Sequence, residues 1–293
     1  MHYLKLIRFH NLIAMALIQY LIRYSLVIPV YGKSAVLSDL YFALLVYSIV
    51  LIAAGGYVIN DYFDIKVDAR NKEVLIGRKI KRRKALILHL ILTVSGVGIG
   101  IYLAYNIGSV LLGAILIFSA YTLWLYSLKL KRKFLVGNLT IALLSAIFIF
   151  SIPTIELMQK TTHDTQLIVL LSIYGLFGFI SSWMHEIIKD LKGYNGDKEF
   201  KIQTLATVWG IPKTKEFLKW LSMLLASMVI TVAVYKFTHE IYPLSFAALF
   251  LVCPLYLMNI WIYKAKAGYE YSRIAKLHKL IIFAGIISLC FFV

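Results

Sequence analysis

Nine apolar runs, each about twenty residues long, are separated by short polar connections along the chain. They lie near 8–30, 38–60, 85–105, 108–127, 134–153, 166–188, 216–236, 243–263 and 275–293. None alternates with period two, as a membrane-spanning strand of about ten residues would, so an outer-membrane barrel is rejected. Each run instead has the length a helix needs to cross a hydrocarbon layer of about 30 Å. The pattern predicts an all-α, polytopic membrane protein of nine transmembrane helices, a single domain over residues 1–293 with no room for a soluble one. The first run follows Lys5 and Arg8 and continues past Arg23 into "YSLVIPVY" without a small-residue cleavage site, so it is read as a retained helix.

Composition agrees with the pattern. The 293 residues are 61% hydrophobic, with a mean hydropathy of +0.80, against an apolar share of about 45–50% in soluble domains. The net charge of +17 is unevenly distributed. Basic residues crowd the connections at 66–84, 129–133, 189–215 and 264–279, while the alternate connections carry almost none. The positive-inside rule then places the amino terminus and these four connections in the cytoplasm, and the carboxyl terminus outside. Topology and attraction to anionic headgroups account for the lysines, so nucleic acid is not an expected partner. Cys253 and Cys290 stand singly in apolar runs without metal-ligand spacing. Pro153 and Pro254 are expected to end or kink helices, and Gly55, Gly56, Gly96, Gly98 and Gly100 to permit close helix packing.

Orientation does not explain the acids. In "NDYFDIKVD", Asn60, Asp64 and Asp68 follow one another at intervals of four, with Asp61 adjacent, which places them on one face of a helix. Like charges at that spacing repel, and a hard divalent cation would reverse the sign of the interaction. The plainer alternative is a solvated helix end whose acids are neutralised by Lys66 and Arg70. After the sixth run, "HEIIKDLKGYNGD" repeats the device with Glu186, Asp190 and Asp197, at intervals of four and seven. The two clusters lie four helices apart, so the chain reads as two four-helix halves and a last helix. Carboxylate pairs of this kind suit Mg²⁺ ions that also take phosphate oxygens, and the anion such ions would bridge is a pyrophosphate.

These residues carry a family resemblance. "NDYFDIKVD" resembles the first Asp-rich signature, N-D-x-x-D-x-x-x-D, of the UbiA superfamily of intramembrane prenyltransferases, and "KDLKGYNGD" followed by "TLATVWG" is similar to its second. "LIRFHNL" resembles the family's R-P-x-N segment and "YSLKLKRKFLVGN" its Y-S-x-x-L-K-R-x-x-x-x-G-N loop. The resemblance implies a helical bundle around a central cavity, in which Mg²⁺ on the two Asp motifs holds a polyprenyl diphosphate that enters from the membrane. It implies that Asn60, Asp61, Asp64, Asp68, Asp190 and Asp197 serve the metal, with Glu186 as a further candidate, and that Asp64 and Asp190 are indispensable to catalysis. Tyr126 and Lys131 match positions that contact diphosphate, and Arg8 and Asn11 match positions near the cavity mouth. Tyr57, Tyr121 and Trp183 are candidate faces for an allylic cation.

Departures from the pattern bear on the acceptor. Gly193 stands where relatives carry an acid, His185 where an Arg is common, and "NKEVLIGRKIKRR" replaces the usual N-R-P-x-P-x-G. Glu186 either compensates for the missing acid or pairs with Lys189, and His185 reads as a hydrogen-bonded structural residue. Within the family the motifs look closest to digeranylgeranylglyceryl phosphate synthases, which alkylate a prenylated glycerol phosphate. The basic residues at 78–83 would then help receive an anionic lipid, unless they serve topology alone. The alternative acceptors are 4-hydroxybenzoate and 1,4-dihydroxy-2-naphthoate. A CDP-alcohol phosphotransferase is excluded by the missing D-G-x-x-A-R opening. A transporter is disfavoured because the acids lie at helix ends rather than at the midplane.

Overall fold

A computed structural model describes residues 2–32, 35–65, 74–159, 164–266 and 268–292. Among them the regular structure is helical, apart from a single pair of bridging residues, Ile76 and Ile80. A five-residue helix, His2–Leu6, precedes nine long ones: α1 Phe9–Tyr31, α2 Asp39–Phe63, α3 Arg82–Ile107, α4 Val110–Leu128, α5 Val136–Gln159, α6 Thr165–Glu199, α7 Leu205–Phe237, α8 Ile241–Lys264 and α9 Gly268–Phe292. Eight are long and apolar enough to span a bilayer; in α5 the apolar stretch is the shorter Val136–Ser151.

Each predicted run overlaps one of these helices, with small offsets at several ends, but three helices extend well beyond their runs. Helix α6 continues to Glu199 rather than stopping near 188, α7 starts at Leu205 rather than near 216, and α9 starts at Gly268 rather than near 275. Hydropathy marks where side chains turn polar, whereas helical hydrogen bonding carries on beyond the hydrocarbon. The 35 residues of α6 span about 50 Å at about 1.5 Å per residue, well beyond a 30 Å core. Helix α7 opens on a reciprocal cap between Thr204 and Thr207 and then bends at Gly210, whose φ of 78° and ψ of 162° are not helical.

The chain divides into two compact units, 1–131 with 147–171, and 132–146 with 172–293. In the first, α2, α3 and α4 pack through small residues. A Cβ on Gly55 would collide with Thr93 Oγ1, one on Gly96 would lie 2.9 Å from the Ser48 carbonyl oxygen, and one on Gly100 would meet Leu116. Ser48 Oγ donates to the Gly96 carbonyl at 2.7 Å across the same seam. Gly98 departs from expectation, since nothing lies within 4 Å of its Cβ position. In the second unit, α6, α7, α8 and α9 enclose a core that includes Met184, Leu218, Leu225, Leu255, Met258 and Ile281.

Two prolines follow widened turns. The π-helical segment Arg23–Val27 in α1 ends just before Pro29, and Ala247–Val252 in α8 ends just before Pro254. A proline ring presses on the carbonyl four residues back and offers no N–H, and the wider turn relieves both faults. Pro153 lies within α5, so it does not end that helix.

Candidate active site

The first acidic cluster sits at the carboxyl end of α2. Asn60 and Asp61 belong to the last turn of the helix, but Asp64 is its C-cap, with φ −91° and ψ 2°. Its N–H still donates to the Asn60 carbonyl at 3.1 Å, which keeps Asp64 on the face of Asn60. Helix α2 thus ends one residue before Asp64, and Asp68 lies outside the described residues.

Two side chains from distant parts of this unit reach the cluster. Lys131, in the single 3-10 turn Leu130–Arg132 after α4, donates from Nζ to Asp64 Oδ1 at 2.5 Å and to Asn60 Oδ1 at 3.4 Å. The Lys131 and Asp64 side chains are 11% and 18% exposed, so this ion pair is more shielded than a surface pair. Arg8 takes the other acid: Nη2 donates to Asp61 Oδ1 at 3.0 Å, while the guanidinium lies 4.6 Å from the centre of the Tyr57 ring. To do so Arg8 adopts a left-handed backbone, φ 53° and ψ 52°, ahead of α1. Such a conformation costs a non-glycine residue about 1 kcal/mol or more, and strain of this kind gathers at functional sites. Asn11, one turn on, is half-buried and donates its N–H to the Arg8 carbonyl at 2.8 Å. Tyr126 is half-buried near the end of α4.

The second cluster lies along the last turns of α6, in the other unit. Glu186, Asp190 and Asp197 all fall within the one helix, as their spacing predicts. Asp190 Oδ2 accepts from Asn138 Nδ2 at 2.8 Å. Asn138 is buried in the first turn of α5 and was not singled out from the sequence, although it is the final residue of the "YSLKLKRKFLVGN" segment. Of the two readings of Glu186, the structure shows the pairing: both carboxylate oxygens accept from Lys189 Nζ at 2.8 Å. A Cβ on Gly193 would stand in ordinary contact with the Asp197 carboxylate, 3.4 Å from Oδ2.

His185 stacks on the fully buried His278 of α9, ring centres 5.6 Å apart and Nδ1 to Nδ1 3.4 Å, in keeping with a structural role. Of the aromatic candidates, Tyr57 is covered by Arg8. Trp183 packs between Phe179 and Phe217 in the core. Tyr121 is exposed on α4, where its ring lies 6.0 Å from that of Trp124.

Among the described residues no three His, Cys, Asp or Glu side chains are gathered into a metal-holding group. The donor set nonetheless fits a hard cation. Asn60 Oδ1 and Asp64 Oδ1 converge on one positive atom, the Lys131 ammonium, and oxygen donors of this type suit Mg²⁺ when phosphate oxygens and water complete the shell.

Comparison with known proteins finds matches over most of the chain. The sequence matches the model of the UbiA prenyltransferase family over residues 22–280. It is 32% identical over 228 residues to the digeranylgeranylglyceryl phosphate synthase of Saccharolobus solfataricus, covering 76% of this chain and 74% of that one. With the Hyperthermus butylicus protein of the same name it shares 29% identity over 255 residues, 85% of this chain and 80% of that one. Among solved structures, one concerning digeranylgeranylglyceryl phosphate synthase in membranes superposes with a TM-score of 0.65 at 24% identity, over 98% of this chain and 96% of that one. A UbiA homolog from Archaeoglobus fulgidus bound to GPP and Mg²⁺ gives 0.61 at 14% identity, over 99% and 100%.

Proposed function

Because the chain belongs to the UbiA prenyltransferase family, we propose that it transfers a polyprenyl group from a prenyl diphosphate to the hydroxyl of a prenylglyceryl phosphate within the membrane. The observation that carries this reading is the convergence of Asn60, Asp64 and Lys131 at one point. An enzyme of diphosphate chemistry needs there both oxygen donors for a metal and a cation for the leaving group. The names of the relatives support a glycerol phosphate acceptor, ahead of the aromatic acceptors that the sequence leaves open.

In this reading Asn60, Asp61, Asp64 and Asp68 of the first motif, and Asp190 and Asp197 of the second, would hold Mg²⁺. The metal, when bound, neutralises diphosphate oxygens and so makes pyrophosphate a better leaving group. Lys131 exchanges the Asp64 carboxylate for a diphosphate oxygen and stabilises the charge that develops as the allylic C–O bond breaks. Tyr126 steadies the same group. Arg8, fixed against Asp61 and Tyr57, presents a guanidinium to a substrate phosphate, with Asn11 one turn away. Asn138 fixes the direction of the Asp190 carboxylate, as a residue behind a metal ligand does. Glu186, already held by Lys189, is the least suited of the acids to bind metal. The chain from 1 to 293 works as one domain, with the amino terminus and active-site connections on the cytoplasmic side and the carboxyl terminus outside.

The test is an acceptor screen with purified protein in lipid vesicles. Geranylgeranyl diphosphate and Mg²⁺ are offered with geranylgeranylglyceryl phosphate, 4-hydroxybenzoate or 1,4-dihydroxy-2-naphthoate, and products are read by mass spectrometry. The reading predicts an ether lipid from the first. A prenylated ring, without any ether lipid, would replace it with the aromatic alternative.

A further inference from the structure

Two charged side chains are buried away from the clusters described above. Arg23 is 2% exposed in α1, about 20 Å along the chain axis from Arg8 at about 1.5 Å per residue, and Glu156 is fully buried in α5. Charges inside a membrane-spanning bundle are costly, and their retention points to a task. The two grip one peptide from both sides. Arg23 Nη2 donates to the Leu37 carbonyl at 2.8 Å, while Glu156 Oε1 accepts from Leu37 N–H at 3.2 Å and Oε2 from Val36 N–H at 2.7 Å. Nη2 also donates to Asp39 Oδ1 at 2.9 Å, and the guanidinium lies 4.6 Å from the centre of the buried Phe42 ring. One turn earlier, the fully buried Gln19 donates from Nε2 to the Phe148 carbonyl at 2.6 Å and to Ser151 Oγ at 3.4 Å, both in α5. Buried polar groups thus tie together α1, the connection from α1 to α2, and α5.

Three atoms of this network have no hydrogen-bond partner among the described residues: Gln19 Oε1, Arg23 Nε and Arg23 Nη1, all buried. The Phe148 carbonyl can only accept, so it fixes the Gln19 amide with Nε2 towards α5 and makes Oε1 a true acceptor. Arg23 N–H donates to the Gln19 and Tyr20 carbonyls, so the two side chains leave the helix one turn apart, where residues four positions apart are neighbours. The turn that begins at Arg23 is π-helical, a form frequent at functional positions. One acceptor and two donors together select what joins them. An anion is repelled by Oε1, a cation is repelled by the guanidinium, and burial shuts out a large solute. Water both donates and accepts, and a buried water typically uses about three polar partners.

We propose that Gln19 and Arg23 bind a buried water molecule, which donates to Gln19 Oε1, accepts from Arg23 Nε or Nη1, and completes a polar pin between α1 and α5. Apolar helix faces pack in several registers of similar free energy, whereas buried groups that must all be paired allow one. The pin fixes the register of α1, and with it the end of the helix at which Arg8 meets Asp61. It lies outside the catalytic residues and does not depend on the function proposed above.

The experiment is a crystal structure of the full-length protein grown in a lipid phase, at a resolution that shows ordered water, for the wild type and Gln19→Met. The wild type should show water density within about 3.2 Å of Gln19 Oε1 and of Arg23 Nε or Nη1, and the variant should lose it. No density there in the wild type would overturn the assignment, as would a guanidinium turned so that Nε and Nη1 donate directly to protein oxygens, or density from a lipid hydroxyl in place of water. The wild-type density decides even if the variant does not fold. Thermal unfolding in one detergent is a second test. Gln19→Met removes the acceptor, and Arg23→Lys keeps the charge but loses the fork of donors. Each should lower the unfolding temperature by about 2–6 °C, and the double variant by clearly less than the two shifts added, because one water serves both side chains. Additive shifts, or an unchanged unfolding temperature in Gln19→Met, would overturn the proposal.

Discussion

Asn138 and Asp190 are 52 positions apart in sequence, and the Asn138 amide donates to the Asp190 carboxylate at 2.8 Å. The asparagine is buried at the start of α5, so its amide has little freedom to turn away. The bond leaves one carboxylate oxygen, Oδ1, free of this constraint and directs where the group presents it.

Replacing Asn138 by Ala removes that direction without removing the acid. The expected result is about a ten- to hundredfold loss in activity or Mg²⁺ affinity, the range found when a partner behind a metal ligand is lost. Steady-state rates at varied Mg²⁺, with size-exclusion behaviour as a folding control, check it.

Lys131 faces a different demand, because its charge is needed as the leaving group departs. Lys131→Met should reduce kcat by about 10²–10³, as expected for loss of one preorganised stabilising group. Lys131→Arg should restore only part of the rate, since a planar guanidinium cannot occupy the same point between Asn60 and Asp64. Single-turnover rates with saturating donor measure both.

Gly193→Asp would place a carboxylate one turn before Asp197, whose Oδ2 lies 3.4 Å from the new Cβ position. Without divalent metal the variant should unfold at lower temperature, because like charges at this spacing repel by a few tenths of a kcal/mol, about 0.2–0.5. With Mg²⁺ the order should narrow or reverse, since a ligand that binds only the folded state stabilises it. Thermal unfolding with and without Mg²⁺ distinguishes the two conditions.

A matched pair of glycines tests the packing of the first unit. Gly96→Ala puts a methyl 2.9 Å from both the Ser48 carbonyl oxygen and Ile52 Cγ1, and should destabilise by about 1–3 kcal/mol. Gly98→Ala, two residues on and facing open space, should be neutral or stabilising by up to about 1 kcal/mol through helix propensity. Denaturation of the two variants in the same detergent gives the comparison.

Much of this architecture was legible in the sequence, because length and apolarity of each run follow from the thickness of a bilayer. That Asn60, Asp61 and Asp64 form one polar cluster was legible through their spacing, and Lys131 was legible through its segment. The sequence did not disclose that Lys131 pairs with Asp64, that Asn138 holds Asp190, or that His185 meets His278, since each partner arrives from a helix far along the chain. Nor did hydropathy reveal the polar extensions of α6 and α7, where helical hydrogen bonds continue past the last apolar residue.

The most direct test of the proposed reaction is its stoichiometry. Purified protein in vesicles is given geranylgeranyl diphosphate, geranylgeranylglyceryl phosphate and Mg²⁺, and pyrophosphate and ether lipid are measured together in the wild type, Asp64→Asn and Asp190→Asn. The account predicts one pyrophosphate per ether formed in the wild type, none without Mg²⁺, and loss of both products in each variant while the protein remains folded. Pyrophosphate release without an ether product, or near-wild-type turnover in both variants, would contradict it.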